Sequence, residues 1–122
     1  MPQKILIVDD DKDLVFLTKV GLQKEGYEVI TASDGEQALQ LIKTNVPDLM
    51  IVDLTMPVMN GWHFSLKVRA DVRYKTTPIL ILSGLIDRES AGEAHEGPTF
   101  YVPKPFDIFK LIEKIKELLK SP

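Results

Sequence analysis

Polar side chains stand where the apolar runs of this chain give out. KILIV is followed by Asp9, Asp10 and Asp11, LMIV ends on Asp53, ILIL ends on Ser83, and FYV passes through Pro103 to Lys104. Carboxylates held together repel, and in a low dielectric at least one takes up a proton unless a cation intervenes. A divalent cation meets that need, and oxygen donors in a chain without cysteine favour Mg²⁺. Magnesium points in turn to phosphoryl transfer, in which one carboxylate attacks phosphorus while the metal and a lysine offset charge developing on the transferred group. Asp53 is the candidate nucleophile because it stands alone at a central strand end. Asp9 and Asp10 are the candidate metal ligands, Ser83 offers a hydroxyl, and Lys104 is a compact point charge.

Each of these residues has a plainer reading. The run Asp9 to Asp11 is compatible with capping of the helix that follows, where negative charge is favoured. Asp53 could be a solvated strand terminus, Ser83 before Gly84 a turn residue, and Lys104 between two prolines a surface lysine in a stiff loop. Compatible chemistry at four separate strand ends favours a shared site over four coincidences.

Converging those residues requires that the runs be strands sharing one edge. KILIV (4–8), EVIT (28–31), LMIV (49–52), ILIL (79–82) and FYV (100–102) are rich in Ile, Val and Leu without clean alternation, as strands buried on both faces are. Helical spacing lies between them. Leu14, Leu17 and Gly21 share one side of the first helix, and Ala38, Leu41 and Ile42 one side of the second, which opens with the capping box SDGE (33–36). The last segment, 107–120, puts Ile108, Leu111, Ile112, Ile115, Leu118 and Leu119 on one stripe opposite lysines and glutamates. Strand and helix alternate throughout, which predicts a doubly wound five-stranded parallel sheet with helices on both faces. The weak unit is DRESAGEAHEG (87–97), whose two glycines and small apolar side chains predict a short fourth helix. His63 is expected on the third helix and His95 in solvent, and Trp62 is expected to pack.

The bulk numbers agree with one domain, 1–122: the 122 residues are 44% hydrophobic and 27% charged, with no apolar run long enough to span a bilayer. The absence of cysteine and of a secretory apolar core in MPQKILIVDD makes a cytoplasmic location the expectation. A net charge of −3 and a pI of about 5.3 argue against a surface that binds nucleic acid directly.

The motifs ILIVDDD, DLTMPVMNG, ILSG and YVPKPF, in this order, resemble the receiver domain of two-component response regulators, over Lys4 to Lys120. The resemblance implies a flavodoxin-like strand order 2-1-3-4-5 and a phosphoacceptor at Asp53, which takes its phosphoryl group from a sensor histidine kinase or a histidine phosphotransfer protein, as in a phosphorelay. It implies that Asp9, Asp10, Asp53 and the backbone carbonyl of Thr55 hold Mg²⁺, that Ser83 and Lys104 contact the phosphoryl oxygens, and that Tyr101 is the switch aromatic. Phosphorylation would then reshape a surface of the fourth helix, fifth strand and last helix for an output partner. Pro57 and Gly61 match turn residues of the family, Asn60 stands where aspartate is common yet still caps a helix, and the Lys104–Pro105 bond is expected to be cis. Pro103 fits a fifth strand at the sheet edge. Thr55 and Leu85 occupy positions where the family tunes loss of the phosphoryl group. Phe100 and the weak fourth helix depart from the pattern.

Other classes fit less well. A flavodoxin-like electron carrier needs a loop that cradles a flavin phosphate, and DDDKD would repel one. A haloacid-dehalogenase-type phosphatase places a second aspartate where this chain has Thr55. A binding module without phosphorylation would not need all of Asp9, Asp10, Asp53, Ser83 and Lys104. The expectation is a protein that catalyses its own phosphorylation and dephosphorylation rather than a turnover enzyme. Whether it stands alone or was excised from a longer regulator is open.

Overall fold

In the computed structural model, which describes residues 2–56, 58–84, 92–93 and 97–120, parallel strands carry the polar residues to a common edge. β1 (Lys4–Val8), β2 (Glu28–Ala32), β3 (Leu49–Asp53) and β4 (Ile79–Ser83) are followed by a two-residue β5 (Gly92–Glu93) and by β6 (Thr99–Pro103). The sheet order is β2-β1-β3-β4-β6-β5. Five strands are parallel and in the expected order, the predicted fifth strand being β6. β5 adds an antiparallel pair, Gly92 opposite Tyr101 and Glu93 opposite Phe100.

β6 is therefore not a bare edge, which corrects the expectation drawn from Pro103. The β5 pairing reaches only Phe100 and Tyr101, so Pro103, which has no N–H to give, lies beyond it. The predicted fourth helix lies outside the described residues apart from Gly92 and Glu93, which are strand, and Gly97. Pro57, Leu85 and His95 also lie outside them.

Four α-helices are described: α1 (Lys12–Lys24), α2 (Gly35–Leu41), α3 (Gly61–Arg69) and α4 (Ile108–Leu118), with a 3₁₀ turn at Val72–Tyr74. Side chains of successive strand residues leave the sheet on opposite faces, and that alternation divides the core in two. Leu6, Val8, Met50, Val52, Ile79 and Ile81 pack with Ala38, Phe64 and Val68 of α2 and α3. Ile5, Ile7, Leu49, Ile51, Leu80 and Leu82 pack with Leu22 of α1 and with Leu111, Ile112 and Ile115 of α4. Both sides of the central strands are thus apolar, which is why their sequences do not alternate.

Two details of the helices differ from expectation. In α1 the buried residues are Thr18 and Leu22, while Leu17 is 64% exposed and lines an open groove between α1 and α4. The buried stripe follows the four-residue spacing from Leu14, and Gly21 faces Ile112 at its margin. The cap of α2 is shifted by one residue from the predicted box. Asp34 accepts from the Gln37 N–H at 2.7 Å, and Gln37 Oε1 accepts from the Ser33 N–H at 2.7 Å. A carboxylate is the stronger acceptor of the two adjacent candidates, so it takes the cap.

A buried guanidinium braces the end of the sheet opposite the acids. Arg69, at the C-terminus of α3, donates from Nη1 to the carbonyls of Tyr74 and Thr77, both at 2.6 Å, and from Nη2 to Thr99 Oγ1 at 2.9 Å. The nearby Tyr74 hydroxyl, fully buried, donates to the Ile42 carbonyl at 2.7 Å.

Candidate functional site

The strand ladders continue one residue past the last apolar side chain of β3 and β4, so that Asp53 and Ser83 are held as strand residues rather than loop residues. The Leu54 N–H donates to the Leu82 carbonyl at 2.8 Å, and the Lys104 N–H donates to the Ser83 carbonyl at 2.8 Å. β3, β4 and the exit from β6 are therefore locked together at the level of the site. β1 lies on the other side of β3, and the Asp9 N–H donates to the Ala32 carbonyl at 3.1 Å.

This framework gathers the acids. Carboxylate oxygens of Asp9, Asp10 and Asp53 lie within 4.8 Å of one another. Asp9 and Asp53 are buried and Asp10 is exposed. Lys104 Nζ reaches between the two buried acids, 3.3 Å from Asp53 Oδ1 and 3.8 Å from Asp9 Oδ2. Asp53 Oδ1 also accepts from the Thr55 N–H at 3.4 Å. Ser83 is buried, and Tyr101, half-buried on β6 opposite Ile81, packs against the core cluster containing Val8 and Val52. Thr55 is exposed beside Asp53. The bond between Lys104 and Pro105 is cis, as expected.

The Asp9 to Asp11 run divides its work. Asp11 caps α1, its Oδ1 accepting from the N–H groups of Asp13 and Leu14 at 3.1 Å each. Asp9 and Asp10 are thereby left to the acidic cluster. Asp9 Oδ1 accepts from the Asp11 N–H at 2.9 Å, whereas the buried Asp9 Oδ2 has no hydrogen-bond partner among the described residues. Burial is the main reason its pKa rises to about 6, with Asp53 and Asp10 adding to the rise and the Asp11 N–H and Lys104 opposing it. A buried carboxylate oxygen without a donor, facing two further carboxylates, is the environment a hard cation relieves.

The loop from β3 to α3 is tied down near its α3 end. Asn60 caps α3, accepting from the His63 N–H at 2.8 Å, so asparagine does take over the capping role. His63 is exposed on α3 with its ring 5.6 Å from that of Trp62, which is half-buried. Met59 packs against Gly35 at the start of α2, where an added Cβ would meet its Sδ at 3.2 Å. Val58, between these anchors and Asp53, has a φ of 72° and a side chain 73% exposed. A left-handed conformation costs an L-residue roughly 1–2 kcal/mol, and β-branching makes it rarer still. Relief of that strain outweighs the greater unfolded-state freedom of glycine, roughly 0.4–1 kcal/mol. Val58→Gly is accordingly expected to raise stability by about 0.5–1 kcal/mol in urea unfolding; an equal loss would mean that the valine side chain makes compensating contacts.

Sequence reasoning missed Val58, whose β-branched type argues against the conformation it holds. It placed Gly61 only as a turn residue. The geometry is otherwise that of an oxygen-donor cluster with an adjacent cation at the carboxyl ends of parallel strands, where ligands bind in sheets of this class.

Comparison with known proteins agrees with this arrangement. The response regulator receiver domain family matches residues 5–116. The transcriptional regulatory protein CpxR of Escherichia coli K12 is 38% identical over 120 residues, covering 96% of this chain and 49% of that protein. The chain thus spans about half the length of such curated relatives. The chemotaxis response regulator CheY4 of Vibrio cholerae superposes with a TM-score of 0.87 at 36% identity, covering 98% of this chain and 100% of that one. The response regulator TrrA of Thermotoga maritima, solved in complex with Mg²⁺–BeF, superposes with a TM-score of 0.79 at 34% identity, covering 96% of this chain and 99% of that one. Fold, acidic cluster and sequence agree, and the chain belongs to the response regulator receiver domain family of two-component systems.

Proposed function

We propose that this receiver accepts a phosphoryl group on Asp53 from a phosphohistidine of a sensor histidine kinase or histidine phosphotransfer protein, in a Mg²⁺-dependent step. The observation that carries the reading is the position of Asp53: a buried carboxylate at a rigid strand end, 3.3 Å from Lys104 Nζ and within 4.8 Å of Asp9 and Asp10. Asp9, Asp10, Asp53 and the carbonyl of Thr55 would hold the metal, and Asp9 Oδ2, buried without a hydrogen bond among the described residues, supports that fit. When bound, Mg²⁺ neutralises the acid cluster and the charge on the transferred group.

In this reading a carboxylate oxygen of Asp53 attacks phosphorus as the P–N bond to the donor imidazole breaks. The electron pair returns to the imidazole nitrogen and a P–O bond forms. Lys104 leaves Asp53 Oδ1 to pair with a phosphoryl oxygen, and the Ser83 hydroxyl donates to another. Movement of Ser83 lets Tyr101 turn inward, which couples the site to the surface of β6 and α4. The receiver domain is taken as 1–122, acting in the cytoplasm on itself rather than as a turnover enzyme. Its output is a segment of a longer chain, as the half-length match to a transcriptional regulatory protein favours, or a separate protein, as the full-length match to a chemotaxis response regulator favours.

Incubation with phosphoramidate and Mg²⁺, followed by intact mass, tests the reading. One added phosphoryl group is expected, and none when EDTA is present. A chain that gains nothing, or gains as much in EDTA, would remove the proposal.

A further inference from the structure

We propose that Gly61 is a positioning residue for the phosphoacceptor: its missing side chain lets α3 seat directly on the backbone of Asp53 and so fixes where the carboxylate stands. The inference rests on the reading of Asp53 as the acceptor.

Gly61 does not have a positive φ, so conformational freedom does not explain a glycine here. Close approach does. A Cβ on Gly61 would stand 2.4 Å from the Asp53 carbonyl oxygen, 3.0 Å from the Asp53 carbonyl carbon and 3.0 Å from Leu54 Cα. All three atoms are backbone, so no rotamer change relieves the overlap. The Gly61 N–H donates to the Leu54 carbonyl at 2.9 Å, which fastens the two segments where they touch. Met59, two residues before Gly61, seats the same end of the loop on Gly35 of α2.

A methyl group at position 61 must therefore push the start of α3 and the end of β3 apart. The Asp53 side chain hangs from the backbone that would move, and its contact with Lys104 Nζ, at 3.3 Å, has little slack. Misplacement of a reacting group by about 1 Å can slow a reaction by roughly 100-fold.

The control is another glycine. Gly26 has a φ of 93°, a conformation in which any side chain is strained. Gly26→Ala is thus also destabilising, yet it lies between α1 and β2, at the end of the sheet away from the acids.

The experiment compares wild type, Gly61→Ala, Gly26→Ala and Met59→Ala in phosphoramidate with saturating Mg²⁺. Intact mass is followed over a series of donor concentrations, in the cold and with trimethylamine N-oxide, under conditions where urea titration shows the folded state. Gly61→Ala is expected to lower the maximal rate by about 10- to 100-fold without changing the half-saturating donor concentration. Gly26→Ala should keep the wild-type rate, and Met59→Ala, which adds no atoms, should be slowed several-fold. A wild-type rate in folded Gly61→Ala, or equal slowing in Gly26→Ala, overturns the inference. If Gly61→Ala does not fold, Met59→Ala decides: slowing supports the inference and a wild-type rate overturns it. A wild type that gains no phosphoryl group overturns the acceptor reading and this inference together, whereas an active wild type with an unaffected Gly61→Ala overturns this inference alone.

Discussion

Asp53→Asn is expected to stop phosphoryl uptake from phosphoramidate, with a rate lower than wild type by roughly a thousandfold or more, equivalent to about 4 kcal/mol of barrier. The amide is nearly isosteric, so the β3 end, the Leu54 to Leu82 hydrogen bond and the core beneath should persist. What disappears is nucleophilicity: the amide oxygen carries no formal charge and its electron density is shared with nitrogen. Lys104 would remain, 3.8 Å from Asp9 Oδ2, so loss of the cation could not explain the effect. Intact mass against time checks the result, and phosphopeptide mapping locates any group gained. Uptake at a rate close to wild type, at any other residue, would move the acceptor away from β3.

How much of this was legible in the chain follows from which forces act locally. The apolar runs identified five strands because burial on both faces leaves a local signature, their order came from the family resemblance, and Asp9, Asp53 and Lys104 were legible because polar residues at the ends of such runs are conspicuous. The apolar runs stop at Val52 and Leu82, and the strands end one residue later on Asp53 and Ser83 as expected, since hydrogen-bonded pairing continues irrespective of side-chain type. Leu17 was assigned to a buried face because its type suggested it, while Thr18 occupies that face. The shift of the α2 cap from Ser33 to Asp34 turned on which of two adjacent acceptors won. The close approach at Gly61 and the left-handed backbone of Val58 could not be read at all. The first depends on how closely α3 approaches β3, and the second breaks the residue preference of its own conformation. The β5 pair was invisible because two residues carry no periodicity.

Asp9→Asn gives the other large effect, and its direction depends on pH. Asp9 in the folded chain binds its proton more tightly than in the unfolded chain, with a pKa of about 6 against 3.8. Its contribution to stability is therefore complete below pH 3.8 and is lost as pH rises through about 6. Above that window the metal-free wild type carries an ionised, buried carboxylate beside Asp53 and Asp10, and the shift corresponds to about 3 kcal/mol at most. Asparagine retains an acceptor for the Asp11 N–H but places an amide group toward Lys104, which takes back part of the gain. Asp9→Asn is thus expected to be more stable than wild type by about 1–2 kcal/mol in EDTA at pH 7.5, with the difference closing toward pH 4. Urea unfolding across that range measures it. Mg²⁺ should stabilise the wild type by mass action and the variant much less. A variant less stable than wild type at pH 7.5 in EDTA would show that the acid cluster is not under electrostatic stress.

The bracing of Arg69 at the far end of α3 has a mechanical consequence. That guanidinium ties the helix to the carbonyls of Tyr74 and Thr77 and to the hydroxyl of Thr99, while the other terminus rests on the main chain of Asp53. A rod clamped at both tips cannot slide or pivot without breaking one clamp. Displacement originating at the carboxyl edge is consequently denied an exit through this helix, and the compliant route is beside it on the same face, where the ring of Tyr101 has only partial cover.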